Sequence, residues 1–395
     1  MRLKRLVTAV LATVAVLADT GAAAGGAVVA GEQVPITAPP PGSGDWNQQR
    51  FGGQAPPDPA SAAPAVVAAF FGGLPEVERQ LLVARFPLVV GNLDGAPPGL
   101  RYRANAVALA TEQRRELAVA ADPGRPARER ASAADRAAVC RRLLHPGRRI
   151  LAFDPRGRGL VTEVYGDLAA AQRIAVLIPG ADADLGHFDR RQDPLRSPAG
   201  MARALRAEEE RQAPAARTAV IAWVGYTTPV GLGPDTATAR LADAAAPRLG
   251  RLLAGLAATT RRPAAPPTLL CHSYGSVVCG VAAPHIHRAR PTGVDPTGLT
   301  DAVVFGSPGL GVDHADQLGA GVRLWAARNP SDWIGDVPYV EIAGLGHGAD
   351  PVDPAFGARV VSSAGATGHA GYLAPGTASL RNFAAIALGR YGNVN

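Results

Sequence analysis

TLLCHSYGSVVCGVAAPHIH, residues Thr268 to His287, is the stretch on which the fold turns. Thr268 to Leu270 is a strand-like run, and Ser276 to His287 has the composition of a helix. Between them stands Cys271-His272-Ser273-Tyr274-Gly275. A serine on a sharp strand-to-helix bend needs small residues two places before and two places after it, so that neighbouring backbone does not collide. Gly275 meets the second requirement, and Cys271, small but not glycine, meets the first approximately. In such a bend the Ser273 hydroxyl projects over the carboxyl edge of a sheet. The Tyr274 amide, at the positive end of the following helix, then faces any oxyanion that develops.

Outward from this bend the pattern repeats. IAVLIPG (Ile174 to Gly180), TAVIAWVGY (Thr218 to Tyr226), DAVVFGSPG (Asp301 to Gly309) and VRLWAARNP (Val322 to Pro330) are short apolar runs, each followed by a helical or loop segment. Uninterrupted runs of this kind suit strands covered on both faces. RILAFDPRG and GLVTEVYGD predict a hairpin ahead of them. The expected architecture is therefore α/β, a mostly parallel central sheet flanked by helices, over residues 149–395. Helical spacing over 65–148 predicts an N-terminal helical extension. Residues 25–64, dense in Gly, Pro, Ala and Ser, are expected to form a disordered linker.

A serine nucleophile requires a base, and the base requires an acid. Asp332, in the loop after the run VRLWAA, is the candidate acid, with Asp336 close enough in sequence to compete. Two histidines follow, His347 in GLGHGADP and His369 in ATGHAGYL. His369 is favoured because it lies just before the final helix (Ser379 to Leu388), where a loop can lower an imidazole onto the serine. His347 sits in a Gly-rich turn that suits a structural role. The second oxyanion donor is assigned to the Ala181 amide, in the loop after Ile174 to Ile178, with Gly180 shaping the turn by its missing Cβ. Phe188 and the segment Thr227 to Gly233 are candidates for lining a substrate pocket.

Several pieces taken in order carry a resemblance: GNLDGAPPGLRYRAN (Gly91 to Asn105), FDPRGRG, VLIPGADAD, WVGYTTP, the Ser273 bend, VFGSPGLGV, NPSDWIGDVP, GHGADP, GHAGYL and SLRNFAAIALG. From about Pro75 to Arg390 the chain resembles the actinobacterial α/β-hydrolase family first described as a domain of unknown function, DUF1023. That family usually has Gly-His-Ser-Tyr-Gly at the bend, so Cys271 departs from it. The resemblance implies an α/β-hydrolase fold with a serine triad and no particular substrate. Hydrolysis of a small-molecule or lipid ester through an acyl-enzyme on Ser273 is the expected activity. An acyltransferase using the same triad, or a non-catalytic envelope binding protein on the same fold, are the alternatives.

Composition narrows the partners. The 395 residues carry a net charge of +7, but basic and acidic side chains alternate along the chain, which describes a solvated surface and not a nucleic-acid stripe. Cys140, Cys271 and Cys279 have no metal-ligand spacing and cannot all pair, so no disulfide framework is expected. The histidines outside the triad form no zinc pattern, and Asp182 and Asp184 lack the ligand series of a calcium loop; no metal or cofactor is expected. Arg2, Lys4 and Arg5 precede an apolar run from Leu6 to Ala18 and then Ala22-Ala23-Ala24. This predicts a cleaved signal peptide over 1–24 and a secreted or extracytoplasmic protein, with an uncleaved membrane anchor as the alternative. Association with the cell envelope and the oligomeric state are left open.

Overall fold

A computed structural model describes residues 31–51, 53–260, 265–287 and 299–395; the expected signal peptide lies outside them. Eight strands form the main sheet: β1 (Ile150–Asp154), β2 (Leu160–Gly166), β3 (Arg173–Ile178), β4 (Thr218–Val224), β5 (Thr268–His272), β6 (Asp301–Phe305), β7 (Arg323–Ala327) and β10 (Arg359–Val360). Their order is β1-β2-β4-β3-β5-β6-β7-β10. β1 and β2 pair as the expected hairpin, β2 pairs antiparallel with β4, and every pairing from β4 to β10 is parallel. β4, β5 and β6 are buried along their whole length, which is why their sequences read as unbroken apolar runs. A separate two-stranded ribbon, β8 (Glu341–Ile342) and β9 (Leu345–Gly346), follows β7.

The helices divide between the two faces. The N-terminal helices are α1 (Pro64–Gly73), α2 (Glu76–Arg85), α3 (Pro87–Asn92), α4 (Pro98–Ala121) and α5 (Ala127–Leu143). They are followed by α6 (Pro198–Gln212), α7 (Arg240–Thr259), α8 (Gly275–His287) and α9 (Ala378–Ala387). α7 and α8 cover one face, where Leu249, Leu252, Val277 and Val278 pack on Val176, Ile221 and Val304. α6 and α9, joined by apolar residues of α4 and α5, cover the other, where Leu205, Phe383 and Leu109 pack on Leu177, Val220 and Phe305. α4 and α5 thus complete a flank of the sheet, while α1 to α3 pack with Trp46 in a separate apolar cluster. Among the described residues no helix is long and apolar enough to cross a membrane.

The disordered linker expected over 25–64 is not what residues 31–51 and 53–64 form. Trp46 is fully buried, its indole Nε1 donates to the Pro57 carbonyl at 2.8 Å, and its ring packs against Phe51, Phe70, Phe71 and Phe86. Further upstream the chain runs as an extended arm. The Gln33 amide donates to Asp235, the Ile36 amide donates to the Thr227 hydroxyl at 3.2 Å, and the Arg156 guanidinium donates to the carbonyls of Ala38 and Pro39 at 3.0 Å. One large aromatic group supplies anchoring that an average over Pro, Gly and Ala conceals.

A second departure is a disulfide between Cys271, at the end of β5, and Cys279 on α8; Cys140 is free and buried. The bend between strand and helix brings two positions of one β-to-α unit face to face, so local geometry achieves what counting three cysteines did not anticipate. Both half-cystines belong to the core layer with α7 and α8, and neither is more than 2% exposed.

One buried carboxyl gives the fold a pH dependence. Glu209 on α6 is 2% exposed and accepts from the Thr218 hydroxyl at 2.6 Å; burial pushes it up to about 7. Because this carboxyl binds its proton more tightly in the folded chain, its penalty is absent at low pH and grows as pH rises from the ordinary Glu range to about 7. Glu209→Gln is expected to raise unfolding free energy by about 2–4 kcal/mol at pH 8, and by much less near pH 4.5, in urea titrations.

Candidate active site

β5 ends at His272, and the chain turns through Ser273 with φ of 54°, one of three non-glycine residues with positive φ among the described residues. A serine held in this left-handed region costs stability that surrounding structure must supply. The Ser273 amide donates to the Phe305 carbonyl of β6 at 3.1 Å, and the Ser276 amide closes the turn onto the Ser273 carbonyl at 2.9 Å. Gly275, first residue of α8, lies so near the Ile178 carbonyl that a Cβ would overlap it. Gly180 covers the bend from the β3 side: a Cβ there would stand 2.5 Å from Ser273 Cβ and 2.9 Å from the Tyr274 amide nitrogen. Only glycine permits this approach.

The Tyr274 amide stands beside the serine at the amino end of α8, and Ala181 follows Gly180 in the loop that shares a cavity with Ser273. Neither amide donates to a carbonyl or side chain among the described residues. The loop is held by Asp182, whose amide donates to the Pro229 carbonyl and whose carboxylate accepts the Gly231 amide at 3.0 Å. Asp184 is engaged by Arg158 at 2.7 Å and by His187 at 3.0 Å, so its carboxylate braces the loop.

His369 and Asp332 meet across 37 residues of sequence, His369 Nδ1 lying 2.9 Å from Asp332 Oδ1. Asp332 is 5% exposed, whereas Asp336, the competing candidate, is solvent-exposed. The Tyr372 hydroxyl donates to Asp332 Oδ2 at 2.6 Å, and the Ile334 amide donates to Oδ1 at 3.0 Å. Burial raises this carboxyl, but the bonds from His369, Tyr372 and the Ile334 amide outweigh it and hold the group below the ordinary Asp range. With Nδ1 committed to Asp332, the ring nitrogen left to accept a proton is Nε2.

The imidazole packs against two aromatic rings. Its ring centroid is 4.7 Å from that of His272 and 4.9 Å from that of Trp333. The His272 Nε2 donates to the His369 carbonyl at 2.8 Å. Burial, aided by the neighbouring His369, drives His272 down to about 3, so it stays neutral beside any cation that forms on His369. The base and acid loops are stitched together: the Asn329 side chain donates to the Gly368 carbonyl at 2.7 Å, and the Gly368 amide donates to the Ser331 hydroxyl at 2.9 Å. Gly306, after β6 with φ of 54°, leaves room for both groups, since a Cβ there would lie 3.0 Å from Asp332 Oδ2 and 3.1 Å from the His369 ring.

His347 is separate from this arrangement. Its Nε2 donates to the Thr236 carbonyl at 2.7 Å, its ring meets Tyr274 edge-on, and burial holds it below the ordinary His value. The sequence did not single out Tyr372, Asn329, Trp333 or Gly306 as parts of the site. Tyr372 lies three residues beyond His369 and Asn329 three before Asp332, but their partners are set by tertiary contacts.

Ser273, His369, Ala181, Tyr274 and Gly180 line one cavity of about 590 Å³. One wall is apolar, with Leu232, Ile334, Val337, Val340 and Leu345; another carries His187, Arg190 and Arg196. The segment Thr227 to Gly233 contributes Gly231 and Leu232 to the lining. Phe188 does not line it: that ring is fully buried in the core under α6.

Residues 154–342 match the family model described as Alpha/beta hydrolase. The sheet order, the parallel core and this match give the chain an α/β-hydrolase fold. The matched segment contains Ser273 and Asp332 and ends before His369. An uncharacterized protein of Mycobacterium tuberculosis (strain H37Rv) is 29% identical over 390 residues, covering 84% of this chain and 56% of the relative. An uncharacterized protein of Mycobacterium bovis is 34% identical over 182 residues, covering 44% of this chain and 63% of the relative. The chain thus spans less than two thirds of the length of these relatives. Among solved structures, esterase PE8 is similar with a TM-score of 0.36 and 18% identity, covering 58% of this chain and 98% of that one.

Proposed function

We propose that this chain is a serine hydrolase that cleaves an ester, or a related acyl bond, through an acyl-enzyme on Ser273. In this scheme His369 Nε2 takes the Ser273 proton as Oγ attacks the acyl carbonyl, and returns it to the departing alcohol. Water then enters, gives a proton to the same nitrogen and releases the acid. Asp332 holds the imidazole in the tautomer that leaves Nε2 free, and stabilises the cation formed in each half-reaction. The amides of Tyr274 and Ala181 receive the tetrahedral oxyanion, helped by the amino end of α8.

The observation that carries this proposal is the conjunction of Ser273, strained at φ of 54° beneath Gly180, with an imidazole in the same cavity whose Nδ1 is bound to a buried carboxylate. Backbone strain at one serine, an unengaged pair of amides and a second ring nitrogen left open are what covalent catalysis requires. A fluorophosphonate reporter is expected to label the folded chain once, with the adduct on the peptide containing Ser273. Absence of labelling in protein with a cooperative thermal transition would overturn the proposal. We infer in addition that the protein works outside the cytoplasm, because the buried Cys271–Cys279 bond suits an oxidising compartment.

A further inference from the structure

The basic wall of the cavity contains a cation for which none of the described residues supplies a partner. Asp189, beside Arg190 in sequence, is already taken by Arg148 at 2.7 Å and Arg203 at 3.0 Å. Asp184 is taken by Arg158 and His187, and Arg196 lies 3.5 Å from Asp193 on the surface. Arg190 makes no ion pair or hydrogen bond with any of the described residues, and its Nε is shielded from solvent without an acceptor. Its side chain nevertheless lines the cavity that holds Ser273. The one acidic side chain among the described residues lining the cavity, Asp182, accepts the Gly231 amide and forms no ion pair with a described residue.

A half-buried guanidinium gains most from an anion that accepts its hydrogen bonds, and a planar fork of donors suits carboxylate or phosphate oxygens. The two walls also belong to opposite layers of the fold. Arg190 and Arg196 precede α6, which packs with α9 on one face; Leu232 and Leu345 adjoin Thr236 and His347, which reach Tyr274 on the α7–α8 side. Ser273 lies between these layers at the carboxyl edge of β5. Leu232 and Val340 are 42% and 39% exposed, so the apolar wall continues out to the mouth.

We propose that Arg190, with Arg196 beside it, anchors an anionic group, and that the substrate is an amphiphilic ester carrying a carboxylate or phosphate together with an alkyl portion. This deepens the serine-hydrolase proposal and rests on it for the bond that is cleaved. The anion site is testable without turnover. Hexyl phosphate titrated calorimetrically into the full chain, and into Ser273→Ala, is expected to bind about tenfold or more weakly once Arg190→Gln is introduced. Arg190→Lys recovers part of the affinity, and Arg191→Gln, whose side chain points to solvent, matches the parent. In turnover, the ratio of kcat/KM for mono-4-nitrophenyl adipate over 4-nitrophenyl hexanoate falls about tenfold in Arg190→Gln.

Equal hexyl phosphate affinity in the parent and Arg190→Gln, or no binding by the parent, overturns the anion site while fluorophosphonate labelling leaves the catalytic proposal standing. Arginine-dependent binding without any labelling does the reverse. A membrane source is distinguished from a free amphiphile by repeating the comparison with anionic vesicles: binding to vesicles alone, with none to monomeric hexyl phosphate, also overturns the cavity site.

Discussion

Ser273→Ala is expected to lower kcat/KM for a 4-nitrophenyl ester at least about 10⁴-fold, because under the proposed mechanism the variant keeps the Tyr274 and Ala181 amides and the cavity but loses the attacking oxygen. The initial burst of nitrophenol should vanish with it. Fold and stability should be nearly untouched, since alanine occupies the same left-handed backbone with a similar penalty. Ser273→Gly sharpens the test. Glycine adopts φ of 54° freely, so this variant should be equally inactive yet more stable by about 1 kcal/mol. A gain in stability coupled to loss of turnover would identify the strain at this position as a cost carried for chemistry. Retention of more than a tenth of parental activity by either variant removes Ser273 as nucleophile.

Asp332→Asn is expected to reduce kcat by about 10³–10⁴-fold with little change in KM. The carboxylate accepts three hydrogen bonds, from His369, Tyr372 and the Ile334 amide. His369 and the Ile334 amide share Oδ1 while the Tyr372 hydroxyl holds Oδ2. An asparagine whose single oxygen takes the Tyr372 bond therefore turns its NH₂ toward His369, and one whose oxygen stays with Ile334 offers His369 a neutral acceptor in place of a carboxylate. The first arrangement forces Nδ1 to accept and moves the ring proton to Nε2, and the second removes the charge that stabilises the imidazolium; either weakens the base while the protein remains folded. Asp336→Asn, altering an exposed carboxylate outside the cavity lining, should retain parental turnover. Equal rates for Asp332→Asn and the parent would remove the acid from the scheme.

How much of this could be read from the chain depended on the distance over which each feature is decided. The strands from β3 to β7 declared themselves because a strand covered on both faces is apolar along most of its length, as in Ile174 to Ile178, Ala219 to Val224 and Ala302 to Phe305. β10 did not: Arg359 and Val360 are both exposed at the sheet edge and form no apolar run. The bend at Ser273 is local, so its spacing with Gly275 was visible. The contact between His369 and Asp332 is not local, and only the order of loops along the chain suggested it. Tyr372 and Asn329 went unnoticed because their hydroxyl and amide find their partners only after two loops have closed on each other. Trp46 was hidden for a different reason, since composition averages a single large anchor into a stretch of Pro and Gly.

The extended arm from Gln33 to Pro39 has a consequence for the rim of the cleft. Its backbone is fastened to Thr227 and Asp235, which flank the turn contributing Gly231 and Leu232 to the cavity wall. Arg240 and Arg248 of α7 donate to arm carbonyls as well. The arm thus acts as a tether on the doorway. Peeling it away would free one jamb while leaving the bond between His369 and Asp332 untouched, so entry and release of ligand would change before the chemistry proposed at Ser273 did.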